Sequence, residues 1–286
     1  MKLSVVILNF NRPKFIKDNI IPALEKNNII DEIIISHGKK ETVFESKSPK
    51  IKSLFHYGKM NEEYGLTLRF VSAMEAKNEH VMIMDDDIIP SDEAISILFQ
   101  KINEDERIYG IYGRDPRKEY NIENVFGNVP VVLTRCLITS KSMCEFFIEN
   151  YKQFEYEEIK NSKPFWNGED ILFSFLSIMK YDKLPISLDL KHHNFFSTYA
   201  NLKDSISIGN NNHLKYRKII TKKFIENLQL DKKIYSETQI KDRGNQFFYF
   251  ARNSNLVYVG VILVVVIILL LLRKFEVLKW YQNTRK

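Results

Sequence analysis

The sequence predicts an α/β fold: a Rossmann-like mixed sheet flanked by helices, followed by one C-terminal membrane helix. Three observations point there. Short apolar runs alternate with amphipathic stretches through the first half, the pattern of strand–helix–strand units. One fully apolar run, "HVMIM", ends at once in Asp85-Asp86-Asp87. Far downstream, the stretch from Leu256 to Leu272, "LVYVGVILVVVIILLLL", carries no charge.

Taken in order, "KLSVVILNF" reads as a strand, and "RPKFIKDNIIPALEKNN" as a helix interrupted near Pro22. "DEIIIS" and "SLFHY" give the second and third strands. "NEEYGLTLRFVSAMEAKN" is a helix with Leu66, Phe70, Ala73 and Met74 on one face. "HVMIM" is apolar at every position, as a central strand is. In "SDEAISILFQKINED", Ser91 caps a helix whose first turn holds Asp92 and Glu93. "RIYGIYG" and "VPVVLTRCLIT" read as strands around the polar loop "RDPRKEYNIENVFGN". "SKSMCEFFIENY" is a helix, and "KPFWNGEDILFSFLSIMKY" is a turn leading into a helix from about Glu169. Phe195 to Asn212 is rich in Asn and Ser, and "HLKYRKIITKKFIENL" is again helical in pattern. This divides the chain into a domain at 1–230, a polar stalk at 231–255, a membrane helix at 256–272 and a basic tail at 273–286.

The 286 residues are 44% hydrophobic and 27% charged, which excludes a disordered chain. The net charge of +6 is concentrated at the end: residues 273–286 carry +4, leaving +2 for everything before them. No basic stripe with interleaved aromatics appears, so a nucleic-acid partner is not expected. Cys136 and Cys144 have neither a zinc nor a disulfide-framework spacing and read as buried apolar residues. The uncharged stretch, as a helix, is roughly 26 Å long, enough for a thin bilayer. A single-pass C-terminal anchor with no signal peptide leaves the domain on the cytosolic side, although the basic tail argues the opposite under the positive-inside rule. The cytosolic placement is the expectation adopted.

In an open α/β sheet, ligands bind beyond the carboxyl ends of the strands. Three adjacent carboxylates at such an end suit a hard divalent cation, which relieves their mutual repulsion and in turn holds phosphate oxygens. A solvated acidic loop is the plainer alternative. A second acidic pair, Glu169-Asp170 in "WNGEDI", stands where a helix begins. The macrodipole alone accounts for charge there, but a carboxylate so placed beside a metal diphosphate also suits a base or a stabiliser of developing positive charge.

"SVVILNFNRP", the apolar strand into "DDD", "NGEDI" and the late His-x-x-x-Arg together resemble the exostosin-like transferases of glycosyltransferase family 64, which have the GT-A fold. The resemblance runs over about residues 1–230 and includes "VPVVLTRCLITSKSMCEFF". It implies a sugar transfer, retaining at the anomeric carbon, from a UDP-sugar such as a UDP-N-acetylhexosamine to a glycan, lipid or protein acceptor. It further implies that Asn11, Arg12, Ser36, Arg69, Asp85, Asp86, His213 and Arg217 bind the donor. Asp87, with Asp85, would hold Mn²⁺ or Mg²⁺, and Asp170 would act at the reacting centre with Glu169 beside it. The chain departs from the family at Leu8, Ser36-His37, Tyr64 and Gly168, which bears on the choice of base and sugar. His192-His193 is an alternative source of a metal ligand, and the loops at 114–128 and 152–167 are candidates for the acceptor side. Two rival readings stand beside this one: an inverting family 2 enzyme with Asp170 as base, and a membrane-tethered sugar-binding protein without catalysis.

Overall fold

A computed structural model describes residues 1–117, 119–155, 167–190, 196–198 and 212–240. The expected membrane helix, the basic tail and His192-His193 lie outside the described residues, among which no helix is long and apolar enough to cross a membrane.

The core is a nine-stranded mixed sheet. Its first four strands are β1 (Leu3–Asn9), β2 (Ile30–His37), β3 (Ile51–Phe55) and β4 (His80–Met84). They run parallel in the spatial order β4-β1-β2-β3. The sheet continues past β4 through antiparallel β10 (Cys136–Ser140), then β6 (Tyr109–Gly110), β11 (Ile186–Ser187), β8 (Gly127–Asn128) and β13 (Gln239–Ile240). Two short pairs lie outside it: β5 (Ile88–Pro90) with β12 (Phe196–Thr198), and β7 (Gly113–Arg114) with β9 (Val131–Val132).

Both faces of the central strands are apolar, so each face takes a layer of helices. Val6, Ile34, Val81, Ile83 and Leu137 point to one side, where α4 (Leu68–Met74), α6 (Lys141–Asn150), α7 (Glu169–Tyr181) and α8 (Asn212–Leu228) pack. Phe70, Phe147 and Phe173 meet there, with ring centroids 4.3–5.4 Å apart. Val5, Ile7, Ile33, Ile35, Met82 and Met84 point to the other side, against Ile16, Ile20 and Leu24 and against α5 (Asp92–Glu104). Ser91 caps α5 as expected, its Oγ accepting from the Ala94 N–H at 3.2 Å.

The local departures from the expected elements have local causes. The first helical stretch divides into α1 (Pro13–Phe15), a π-turn at Ile16–Ile20 and α2 (Ile21–Glu25). Pro22 has no N–H for the regular α ladder, and the wide turn just before it absorbs the missing bond. The second helix breaks at Gly65, where φ is 50°, into α3 (Lys59–Tyr64), one 3₁₀ turn and α4. The expected strand "VPVVLTRCLIT" is two strands, β9 and β10, separated by a turn at Thr134-Arg135. "RIYGIYG" likewise divides into β6 and β7. Residues expected to begin the stalk instead form α9 (Asp231–Glu237) and β13, which pairs antiparallel with β8, and the compact unit runs to Lys241. The expected boundary at 230 is therefore too early: Ile234 is completely buried, so this segment belongs to the core.

Candidate active site

The register of the sheet brings the polar ends of its strands together. Ile7 of β1 lies beside Met84 of β4, so the chain leaves both strands at one level, toward Arg12 on one side and Asp85 on the other. Because β10 is antiparallel, its first residue, Cys136, is the one that meets Met84. Arg135 thus stands directly against the triple aspartate, and its carbonyl accepts the Asp85 N–H at 3.0 Å.

Each aspartate has an arginine. Arg69 Nη1 donates to Asp85 Oδ1 at 3.0 Å. Arg12 is ion-paired with Asp86 and lies 3.8 Å from Asp87 Oδ2. Arg135 Nη2 lies 3.8 Å from Asp87 Oδ1. That oxygen is buried and accepts no hydrogen bond from the described residues. Burial, opposed by Arg12 and reinforced by Asp85 and Asp87, pushes the Asp86 carboxyl up to about 6. Burial and Asp85 raise Asp87 as well.

The second acidic pair opens α7. Gly168 precedes it at φ 114°, a left-handed conformation natural to glycine, and a Cβ there would stand 2.1 Å from Ile220 Cδ1. Helix α7 is pinned to β9 by the Val132 N–H, which donates to Ser174 Oγ at 3.0 Å. Glu169 is 3% exposed, and burial beside Asp170 lifts its carboxyl to about 7 against the pull of Arg69 and Arg217. Both carboxylate oxygens of Asp170 accept from Arg217 Nη2 at 2.8 Å. The same guanidinium donates through Nε to Tyr120 Oη at 2.9 Å and through Nη1 to Asn167 Oδ1 at 3.1 Å. Asn167 Nδ2 meets His213 Nδ1 at 3.0 Å. Burial, with Arg217 nearby, holds the His213 imidazole below its ordinary value.

Arg69 joins the two groups. It is 6% exposed, and its Nε lies 3.9 Å from Glu169 Oε1 while its Nη1 holds Asp85. Arg12, Arg69, Asp85, Asp86, Asp87, Glu169, Asp170, His213 and Arg217 thus form one connected constellation. Two expected donor-binding residues stand outside this network. Asn11 is exposed and accepts from Lys39 Nζ at 2.6 Å. Ser36 is completely buried, with its hydroxyl 3.0 Å from His56 Nδ1. Asp85, expected to share the metal, has one oxygen committed to Arg69, so Asp87 fits that role better.

Sequence reasoning missed Arg135 and Tyr120, and took Asn167 only as the first residue of "NGEDI". It named His37 as a departure from the family but missed its pairing with Asn9 at the adjacent strand end. Asn9 and His37 are register partners, joined through Asn9 Nδ2 and His37 Nδ1 at 2.9 Å. Asn9 Oδ1 and His37 Nε2 are buried without a hydrogen-bond partner among the described residues. The His37 ring stacks on Phe55, which is 57% exposed, and burial drives its pKa down to about 4. With Nδ1 accepting from the Asn9 amide, the neutral ring carries its proton on Nε2 and can donate toward a polar ligand edge.

Among the described residues no group of three or more His, Cys, Asp and Glu side chains gathers into a metal cage. The donor set instead fits a cation held by one carboxylate and completed by phosphate and water, the habit of Mg²⁺-like ions in phosphate sites.

Solved structures with a similar course of chain include S. aureus TarS 1–349, at 16% identity and a TM-score of 0.44, covering 68% of this chain and 60% of that one. Its complex with UDP-GlcNAc gives 16%, 0.44, 68% and 58%. A mannosyltransferase from Pyrobaculum calidifontis, in complex with GDP-Man and Mn²⁺, gives 10%, 0.44, 65% and 54%. The chain therefore spans 54–60% of the length of these three. No curated protein matches it. Residues 3–246, which include every residue of the constellation, match the glycosyl transferase family 64 domain, and the chain belongs to that family.

Proposed function

We propose that the chain transfers a sugar, an N-acetylhexosamine, from a UDP-sugar to a glycan, lipid or protein acceptor, with retention at the anomeric carbon. The observation that carries this reading is the Arg69 bridge, which ties a carboxylate cluster suited to a cation and diphosphate to a buried carboxylate–arginine pair suited to the reacting centre. Asp87 is the proposed ligand for Mn²⁺ or Mg²⁺, its buried Oδ1 taking no hydrogen bond from the described residues. A divalent cation there supplies charge neutralisation for the diphosphate leaving group. Arg12 and Arg69 stand where they can turn from aspartate to phosphate oxygens. The glycosidic electron pair leaves with the diphosphate oxygen, and the positive charge that develops on the sugar faces Asp170, which Arg217 holds in place. With both its oxygens engaged by Arg217, Asp170 suits charge stabilisation better than abstraction of a proton, which favours this reading over the inverting one. Asn9, His37 and Phe55 form the end proposed to read the nucleobase. Leu256–Leu272 is proposed as a membrane anchor, with the domain on the cytosolic side. Protease protection of intact vesicles tests that placement.

The test is a thermal-shift panel of nucleotide-sugars with and without Mn²⁺, followed by proton NMR of the product formed from the donor that binds. Ligand at a hundred times its Kd stabilises by about 2.7 kcal/mol, roughly 5–10 °C for a domain of this size. An inverted product would sink the retaining assignment. Donor binding with no transfer to any acceptor or to water would favour the non-catalytic rival.

A further inference from the structure

Arg135 has no place in the reading above, yet it is built into the site. The antiparallel register sets it against the triple aspartate, and its guanidinium lies 4.7 Å from the Tyr112 ring centre, a cation–π contact that fixes its direction. From there it faces Asp87 Oδ1 at 3.8 Å, near enough for strong attraction and too far for a hydrogen bond. With Arg69 on Asp85 and Arg12 on Asp86, three formal positive charges stand against three negative ones. The cluster that reads in sequence as a −3 cation trap is therefore close to neutral as folded. A free divalent cation approaching Asp87 meets Arg135 on one oxygen and Arg12 beside the other, both repelling it. A diphosphate changes the balance, because it offers these guanidiniums a better anion and leaves Asp87 to the cation.

We propose that Arg135 is the counter-ion of Asp87 in the ligand-free protein and moves to the diphosphate when the nucleotide arrives, so that cation and nucleotide bind as a coupled pair. The inference rests on the nucleotide-sugar reading of the site and adds to it a residue that sets metal affinity. Coupling of this kind is reciprocal: the factor by which UDP tightens Mn²⁺ is the factor by which Mn²⁺ tightens UDP.

The experiment measures free Mn²⁺ by electron paramagnetic resonance in titrations of the whole chain, with and without UDP. The unmodified protein should bind Mn²⁺ weakly alone and more tightly with UDP. Arg135→Gln should bind Mn²⁺ alone about tenfold more tightly and show a correspondingly smaller effect of UDP, within the ordinary range of such couplings. Arg135→Lys keeps the charge and should restore the unmodified behaviour, which separates the electrostatic role from a packing one. Circular dichroism checks that both variants fold, and Arg135→Met stands in for the glutamine variant if that one does not. Unchanged or weaker Mn²⁺ binding in the charge-deleted variant, with UDP still bound, overturns the role of Arg135 and leaves the nucleotide-sugar reading standing. Failure of UDP to bind the unmodified chain at any Mn²⁺ concentration overturns both.

Discussion

Replacing Arg69 by Met tests whether the two acidic groups share one cation. Methionine keeps much of the buried stem and deletes the guanidinium. The change leaves Asp85 without its 3.0 Å partner, removes the guanidinium donor to Thr134 Oγ1 and one of the donors to the Leu66 carbonyl, and leaves buried Glu169 without the charge 3.9 Å away. Removing one partner from a buried ion pair costs about 3–5 kcal/mol. Asp85 keeps about a third of its side chain in solvent, which argues for the lower end, near ~3 kcal/mol, or roughly 6–12 °C in Tm. The pH dependence is the sharper signature. The Glu169 carboxyl, raised to about 7 from 4.5, binds a proton in the folded state that the unfolded chain has released. Stability therefore falls as pH rises between those two values. Without Arg69 the folded value moves higher still, so the variant keeps losing stability above pH 7, where the unmodified protein has levelled off. Urea unfolding at pH 6 and pH 8 reads this directly: the cost of Arg69→Met should be larger at pH 8. Adding Glu169→Gln should remove the difference between the two pH values. Equal cost at both pH values, or no interaction energy in the double-mutant cycle, would refute the shared-cation argument.

Three further outcomes follow from particular contacts. Gly168→Ala should destabilise by about 2–4 kcal/mol, combining a left-handed backbone penalty with overpacking against Ile220, and chemical denaturation should show it as a shift in midpoint at unchanged slope. Asp87→Asn should abolish the effect of Mn²⁺ on UDP binding while leaving Tm at neutral pH equal or higher, because burial and Asp85 already disfavour the ionised carboxyl in the folded state; a large fall in Tm would make Asp87 a structural residue instead. Phe70→Ala should cost about 3–5 kcal/mol through the cavity left among Phe147 and Phe173, and a loss under 1 kcal/mol would mean that this core collapses to fill it.

The parallel half of the fold was legible because strands buried on both faces leave an unmixed apolar signature. "KLSVVILNF", "DEIIIS" and "HVMIM" each fall within one residue or so of an observed strand core. The second half was not legible in the same way. "VPVVLTRCLIT" has no glycine or proline after Pro130 to announce its break, and only the pairing of Cys136 with Met84 shows that the chain turns at Thr134-Arg135. Residues 231–240 read as polar and mixed, as a stalk would. What anchors them is one buried side chain, Ile234, and a two-residue pairing with β8. Neither leaves a periodic trace in so short a segment.

The site divides along the same line, between what adjacency shows and what the fold brings together. Asp85-Asp86-Asp87 and Glu169-Asp170 stand out because like charges next to one another need a reason, and the reason can be sought in the sequence alone. Their partners cannot be found that way. Arg69 lies 16 residues before the aspartate it holds and Arg217 lies 47 after the one it holds, and nothing local distinguishes either from any helix-surface arginine. Arg135 is the extreme case. In sequence it is one basic residue inside an apolar run, where an outward-facing strand position is the obvious account. The sheet register, which depends on pairing between segments some 50 residues apart, makes it the counter-ion of a carboxylate at another strand's end. A triple aspartate therefore announces where a cation can go, but its folded charge balance, and hence how tightly a cation binds before the nucleotide arrives, is set by arginines that the sequence leaves scattered.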